Sequence, residues 1–176
     1  MAIDVAAALA KLQGEGSFAT ALVADSDGLR LEVKGVGPIK FPMSATTARK
    51  LTAVTKPAPF GRRDKTLHDK KVRDTGEIPS RMIKIDESSW HTVLAERLEV
   101  IQEDLGLSGS GTLEAVLDKM LVYGPGQFFK PHKDSERADD MVASLIIELP
   151  CEHQGGNFVV RHQDETKTFR GPAPVH

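Results

Sequence analysis

The sequence contains little of several features that would place it in a specialised class. Cysteine occurs once, at Cys151, so no internal disulfide can form, and a single thiol is typical of a reducing compartment. No apolar run approaches the roughly 20 residues of a membrane span. The N-terminus also lacks the basic region and apolar core of a signal peptide. We therefore expect a cytoplasmic protein that is not attached to a membrane.

Neither sign of charge dominates. The 23 Lys and Arg residues face 25 Asp and Glu residues, which gives a formal net charge of −2. Nucleic-acid-binding domains usually carry a clustered excess of basic residues, so nucleic acid is not an expected partner. The 176 residues are 40% hydrophobic and 27% charged. These values are ordinary for one soluble globular domain that is long enough to bury a core.

The predicted secondary structure changes character near residue 111. Residues 1–111 mix helical and strand patterns, whereas residues 112–176 are mainly strand-like. The connector Ser108-Gly109-Ser110-Gly111 is flexible in composition but too short to separate two independent domains. The sequence thus predicts one α+β domain, in which a helix-bearing support region (1–111) precedes a β-rich region (112–176).

Three helices are predicted in the support region. Spacing of apolar residues predicts helices over residues 2–13 and from Trp90 to about Leu105, and Ser44 as an N-cap predicts a short helix through Val54. Ser88 or Ser89 is the predicted start of the third helix, and Gly106 is its predicted stop.

Extended patterns separate these helices. A hairpin is predicted for Phe18–Ala24 and Leu29–Val33 around a turn at residues 25–28, with further strands at Val36–Phe41 and Met82–Ile85. The segment Lys56–Lys65 has two prolines, a glycine and two adjacent arginines, which predicts a solvated surface loop. Its functional alternative is an entrance loop that attracts an acidic substrate.

One stretch of the β-rich region carries the clearest chemical signal. An apolar run ends at Tyr123, a Gly-Pro-Gly turn follows, and a second extended run leads to His132 and Asp134. Side chains at i and i+2 of a strand point to the same face, so this imidazole and carboxylate would project together. Such a pair suits a non-haem Fe(II) centre with two histidines and one carboxylate. The alternative is a polar pair at a strand end, bonded to itself.

Two other local patterns compete with this site. His162-Gln163-Asp164 repeats the His-x-Asp spacing, but it lies among charged residues and is typical of a solvated strand end. Cys151 and His153 are two zinc-ligand types at close spacing, yet no second pair completes a tetrahedral site. His132 and Asp134 are better placed, because the long apolar run Met141–Leu149, a predicted strand, comes after them.

The segment around His132 resembles a known family. The residues from Tyr123 to Arg137 are similar to the metal-binding segment of the Fe(II)/2-oxoglutarate-dependent dioxygenases, in the branch related to prolyl 4-hydroxylases; they read Tyr-Gly-Pro-Gly-Gln-Phe-Phe-Lys-Pro-His-Lys-Asp-Ser-Glu-Arg. Residues 141–150 and 155–162 resemble the next strands of that fold. The resemblance covers residues 117–170.

That resemblance implies a fold, an activity and cofactors. The fold is a double-stranded β-helix, a jelly-roll-like barrel with the metal inside one end. His132 and Asp134 would bind Fe(II), and the Tyr123 hydroxyl would reach the bound 2-oxoglutarate; the alternative for Tyr123 is a core tyrosine. The implied reaction hydroxylates an unactivated C–H bond of a small-molecule or peptide substrate and gives succinate and CO2. The resemblance also allows for ascorbate as a cofactor.

The sequence departs from the family pattern at its end. The family has a distal histidine several strands after His-x-Asp, but the positions after Asp134 accommodate only about three strands. His176 is the candidate by position, although two prolines just before it argue against a closing strand. We therefore expect the third ligand and the last strands of the barrel to lie beyond this sequence. The alternative function is a non-catalytic β-module that binds a partner or forms a homodimer through an unpaired edge.

Overall fold

The structure is a computed structural model that describes residues 16–26, 28–62, 65–107, 111–134 and 136–170. The predicted helix over residues 2–13 and the candidate ligand His176 lie outside these ranges. Within them the fold is mixed α/β, with two α-helices and several small antiparallel sheets. The coarse prediction of a chain that combines helices with antiparallel strands is confirmed.

The helices are α1 (Ala45–Val54) and α2 (Glu87–Asp104), and a 3-10 turn spans Ser80–Met82. The strands in chain order are β1 (Leu31–Val33), β2 (Gly37–Ile39), β3 (Lys56–Pro57), β4 (Phe60–Arg62), β5 (Lys65–Leu67), β6 (Arg73–Asp74), β7 (Gly76–Pro79), β8 (Ile83–Ile85), β9 (Lys119–Val122), β10 (Phe128–Phe129), β11 (Phe158–His162) and β12 (Glu165–Phe169). Neither described helix is long and apolar enough to cross a membrane.

Two three-stranded sheets form the centre of the fold, with strand orders β2-β1-β8 and β3-β7-β9. Three strand pairs complete the described sheets: β4 with β5, β6 with β10, and β11 with β12. All of these pairings are antiparallel. Because β9 pairs with β7 and β10 pairs with β6, the β-rich region shares sheets with the support region.

The core lies between these sheets and α1. Leu31 and Val33 are buried on one face of β1 while Glu32 is exposed, as the two-residue period of a strand requires. They cluster with Leu51 of α1 and Ile78 of β7, and Val33 and Ile78 are completely buried. The hydrophobic core is therefore built mainly from the support region.

The predicted ends of the two described helices are mostly confirmed. The Ser44 hydroxyl accepts a hydrogen bond from the backbone N–H of Thr47 at 3.2 Å and caps α1. Gly106 follows α2 with φ +68°, a conformation that glycine adopts without strain. The prediction that Ser88 or Ser89 opens α2 is wrong, because the helix begins at Glu87 with Asp86 in the cap position.

The predicted hairpin around residues 25–28 is wrong, because residues 18–24 form no strand. Strand β1 pairs instead with β2 and β8. The tighter turn explains this choice: the Val36 N–H donates to the Val33 carbonyl at 2.9 Å, and Gly35 has φ +88°. A short connection costs less loop-closure entropy than a longer one.

Two further predictions also require correction. The segment Lys56–Lys65 is not an irregular loop, because it contains β3 and β4 and the first residue of β5. The predicted strand Met141–Leu149 is irregular, and several of its apolar side chains are exposed. Strand propensity alone does not form a strand, because the backbone also needs a partner with which to exchange hydrogen bonds.

Candidate functional site

A cleft of ≈ 540 Å³ opens between the β4–β5 hairpin and the segment after β10. This volume lies in the range of small-molecule sites, roughly 300–1,000 Å³. Apolar side chains and charged groups share its wall, which is formed by Pro59, Phe60, Gly61, Leu67, His68, Asp69, Val72, Arg73, Phe129, Pro131, His132, Lys133, Asp134 and Arg137. The cleft thus unites residues of both regions of the chain.

Three contacts hold the imidazole of His132 at this cleft. Its Nδ1 lies 2.8 Å from the Lys130 carbonyl oxygen, and its ring stacks on Phe129 with centroids 3.5 Å apart. Its Nε2 lies 3.2 Å from Oδ1 of Asp134. Since β10 ends at Phe129, these local contacts hold His132 in place without a strand.

Asp134 is fixed at its other oxygen. The Ser144 hydroxyl donates a hydrogen bond of 2.6 Å to Oδ2, which turns Oδ1 toward His132. The side chains of His132 and Asp134 keep 38% and 54% of their surface exposed, so a ligand can approach both. The structure therefore brings together the two residues that the sequence predicted as a pair.

The hydrogen bonds restrict the protonation of His132. A carbonyl oxygen only accepts, so Nδ1 carries a proton and donates it to Lys130. In the neutral ring, Nε2 then presents a lone pair toward a carboxylate oxygen, and either a proton or a metal ion between the two atoms would make the contact attractive. Metal bonds of about 2.1 Å at right angles place neighbouring donor atoms about 3 Å apart, close to the observed separation. The same distance also fits a direct ion pair between a doubly protonated His132 and Asp134.

Tyr123, the other predicted site residue within the described ranges, does not join this pair. No group of three or more His, Cys, Asp or Glu side chains in the described ranges is arranged to hold a metal ion. Tyr123 directly follows β9, is 47% exposed and does not line the cleft. Within the part of the chain that the structure covers, His132 and Asp134 are the two donors of the candidate site.

Comparison with known proteins gave no match. No family model, no curated protein and no solved structure gives a significant match to this chain.

Several residues of the cleft were not predicted from the sequence. His68 is exposed and lines the cleft together with Asp69. Phe60 and Gly61, from the segment Lys56–Lys65, line the cleft as well. These residues lie 63 to 72 positions before His132 in the sequence, and no local pattern predicts that contact.

A second histidine–carboxylate pair provides an internal comparison. His153 Nε2 lies 2.9 Å from Oε1 of Glu148, and its Nδ1 lies 3.1 Å from the Gly155 carbonyl. This pair repeats the bonding of His132 and Asp134 but does not line the cleft. Cys151 lies nearby in sequence, yet it joins no metal-binding group among the described residues.

Cys151 is expected to react slowly with thiol reagents. Burial raises the pKa of its thiol above the ordinary value of 9.0, and the Glu148 carboxylate raises the pKa further. Because the folded state holds the proton more tightly, this group's contribution to stability is intact below pH 9.0 and is lost as the pH rises through the folded-state pKa. Reaction with dithiobis-nitrobenzoate at neutral pH should be slower than in the unfolded chain, and faster again in Glu148→Gln. Equal rates in all three samples would contradict this assignment.

Proposed function

We propose that this chain belongs to an Fe(II)- and 2-oxoglutarate-dependent oxygenase that hydroxylates an unactivated C–H bond of a small-molecule or peptide substrate. One observation carries the proposal: Nε2 of His132 and Oδ1 of Asp134 face each other across 3.2 Å at the wall of a cleft. Imidazole and carboxylate donors that leave positions open are typical of non-haem Fe(II) oxygenases. The resemblance of residues 117–170 points to the same chemistry.

The two donor atoms fit two coordination positions of such an ion. The atom of each side chain that faces away from the pair is hydrogen-bonded, as is usual for metal ligands: Nδ1 of His132 to a backbone carbonyl and Oδ2 of Asp134 to a hydroxyl. These bonds fix the tautomer and the direction of each ligand before a metal arrives. The third donor of the family pattern is not among the described residues.

Each part of the cleft has a role in this proposal. Fe(II) with 2-oxoglutarate would supply the oxidative chemistry, in which one atom of O2 enters the hydroxylated product and the other enters succinate as CO2 is released. His132 and Asp134 would hold the metal at the wall of the cleft, and Phe60, Leu67 and Phe129 give the cleft an apolar wall. A partly apolar wall can pack against the apolar part of an organic substrate, while the charged groups contact its polar part.

The double-stranded β-helix is the fold that we propose for the β-rich region. Support comes from the antiparallel pairings of β9 and β10 and from the β11–β12 hairpin, whose register runs from Phe158↔Phe169 to His162↔Glu165. In the described ranges no sheet has more than three strands.

A second candidate function is a β-module that pairs with another copy of the chain. The observation that favours it is a group of exposed apolar side chains after the candidate site. Several contiguous exposed apolar residues mark interaction surfaces more often than isolated ones do. The exposed fraction is 40–60% for most members of this group, namely Val142 (61%), Leu145 (43%), Ile146 (57%), Ile147 (45%), Phe158 (46%) and Val159 (46%).

An anaerobic titration distinguishes the two candidates. Fe(II) is added to the protein in the presence of 2-oxoglutarate, and the visible metal-to-ligand charge-transfer band is followed. The oxygenase proposal expects a saturable band and, after oxygen is admitted, succinate that accumulates only with both Fe(II) and 2-oxoglutarate. No band and no succinate, together with a concentration-dependent dimer in sedimentation, would favour the β-module instead.

A further inference from the structure

Arg73 connects the support region to the candidate metal site. It lies in the two-residue strand β6, which pairs antiparallel with β10 so that Arg73 and Phe129 are cross-strand partners. Residues directly opposite each other in such a pair have side chains in contact. Phe129 precedes His132 by three positions, so this register brings Arg73 next to the site.

The side chains form a stack of three layers. The guanidinium carbon of Arg73 lies 4.3 Å from the centroid of the Phe129 ring. The Phe129 ring in turn stacks on the His132 imidazole with centroids 3.5 Å apart and an interplanar angle of 22°. A cation over an aromatic face is attracted by the negative potential of the ring, so each layer restrains the next.

Arg73 is itself held in place. Its Nη1 donates a hydrogen bond of 2.6 Å to the Pro59 carbonyl, and its half-buried side chain lines the cleft. Its Nε is buried and makes no hydrogen bond in the described structure. A buried donor without a partner costs stability. The contacts of the guanidinium with Phe129 and Pro59 offset that cost and keep the side chain in place.

We propose that Arg73 is a positioning residue for the metal ligand His132 and acts through Phe129. The hydrogen bond to Lys130 fixes one edge of the imidazole, and the stack fixes the plane of its ring. Both restraints together direct Nε2 toward Oδ1 of Asp134. This inference rests on the proposed function, because it assigns Arg73 a role at the same metal site.

The test measures metal binding without turnover. Co(II) alone is titrated into the protein by calorimetry, and the imidazole nitrogens of His132 are followed by NMR. We expect Arg73→Gln to bind Co(II) about tenfold more weakly, as is usual when a residue that supports a metal ligand is lost. The His132 nitrogen signals should shift toward a mixture of tautomers, and Arg73→Lys should recover most of the affinity because it keeps the cation.

Controls separate this role from general destabilisation. Arg49→Gln removes an exposed arginine whose side chain contacts Thr46 on α1, so it should leave Co(II) affinity unchanged. If Arg73→Gln does not fold, Phe129→Leu removes the same stack from its middle layer and should give the same loss. Wild-type affinity in folded Arg73→Gln would overturn the inference, and so would weaker binding with unaltered His132 signals. Unchanged affinity in His132→Ala would instead overturn the metal site itself.

Discussion

Asp134→Ala is expected to abolish Fe(II) binding, and His132→Ala is expected to do the same. Each substitution removes one of the two donors that the described site offers, and the remaining donor cannot hold the ion alone. Loss of a supporting residue already costs metal affinity about 10- to 100-fold, so loss of a ligand should cost more than about 100-fold. Anaerobic titration of the protein with Fe(II), followed by calorimetry, measures this effect directly.

His153→Ala is the matched control for these variants. It removes a histidine with the same bonding, Nδ1 near a backbone carbonyl and Nε2 near a carboxylate, from a place that does not line the cleft. Its Fe(II) affinity should equal that of the wild type. The Fe(II) affinity of Ser144→Ala should lie between those of the wild type and Asp134→Ala, because the substitution frees Oδ2 of Asp134 without removing a metal donor. If Asp134→Ala folds and still binds Fe(II) as tightly as the wild type, the site assignment is wrong.

The pairing of His132 with Asp134 was predictable because it depends on neighbouring residues. The prediction relied on the alternation of side chains along a strand, whereas His132 lies beyond the end of β10. The pair forms nonetheless, because the Lys130 carbonyl and the Phe129 ring are local partners that orient the imidazole. The predicted contact between His132 and Asp134 is therefore present, but the backbone that positions it is not a strand.

The other wall of the cleft was not predictable from the sequence. Arg73 meets Phe129 only through the register of β6 on β10, and such pairing of distant strands leaves no local pattern. The same reason explains the error at Met141–Leu149. Its apolar alternation is typical of a strand, but the backbone contact with Met43 lies just after that segment, where the Met43 N–H donates to the Pro150 carbonyl at 2.7 Å. A strand requires a neighbouring strand with which to exchange hydrogen bonds, and the local sequence does not indicate which segment would be that neighbour.

Ile78→Ala is expected to destabilise the fold strongly, because Ile78 belongs to the hydrophobic core. Ile78 is completely buried at the centre of β7, between β3 and β9, and its cross-strand partner on β9 is Met120. Removing three carbons from such a site leaves a cavity and costs about 2–5 kcal/mol. For a domain of this size that corresponds to a melting temperature lower by roughly 5–15 °C.

Ile146→Ala makes the same chemical change at a residue that is 57% exposed, and it should alter stability by less than about 0.5 kcal/mol. Thermal and urea unfolding followed by circular dichroism compare the two variants. Equal destabilisation would mean that Ile146 is covered in solution, as the β-module candidate requires. A large difference would place the stabilising core in the support region. In that case β7 holds β9, and through β9 the segment that leads to His132, so the buried residues of the support region stabilise the candidate site.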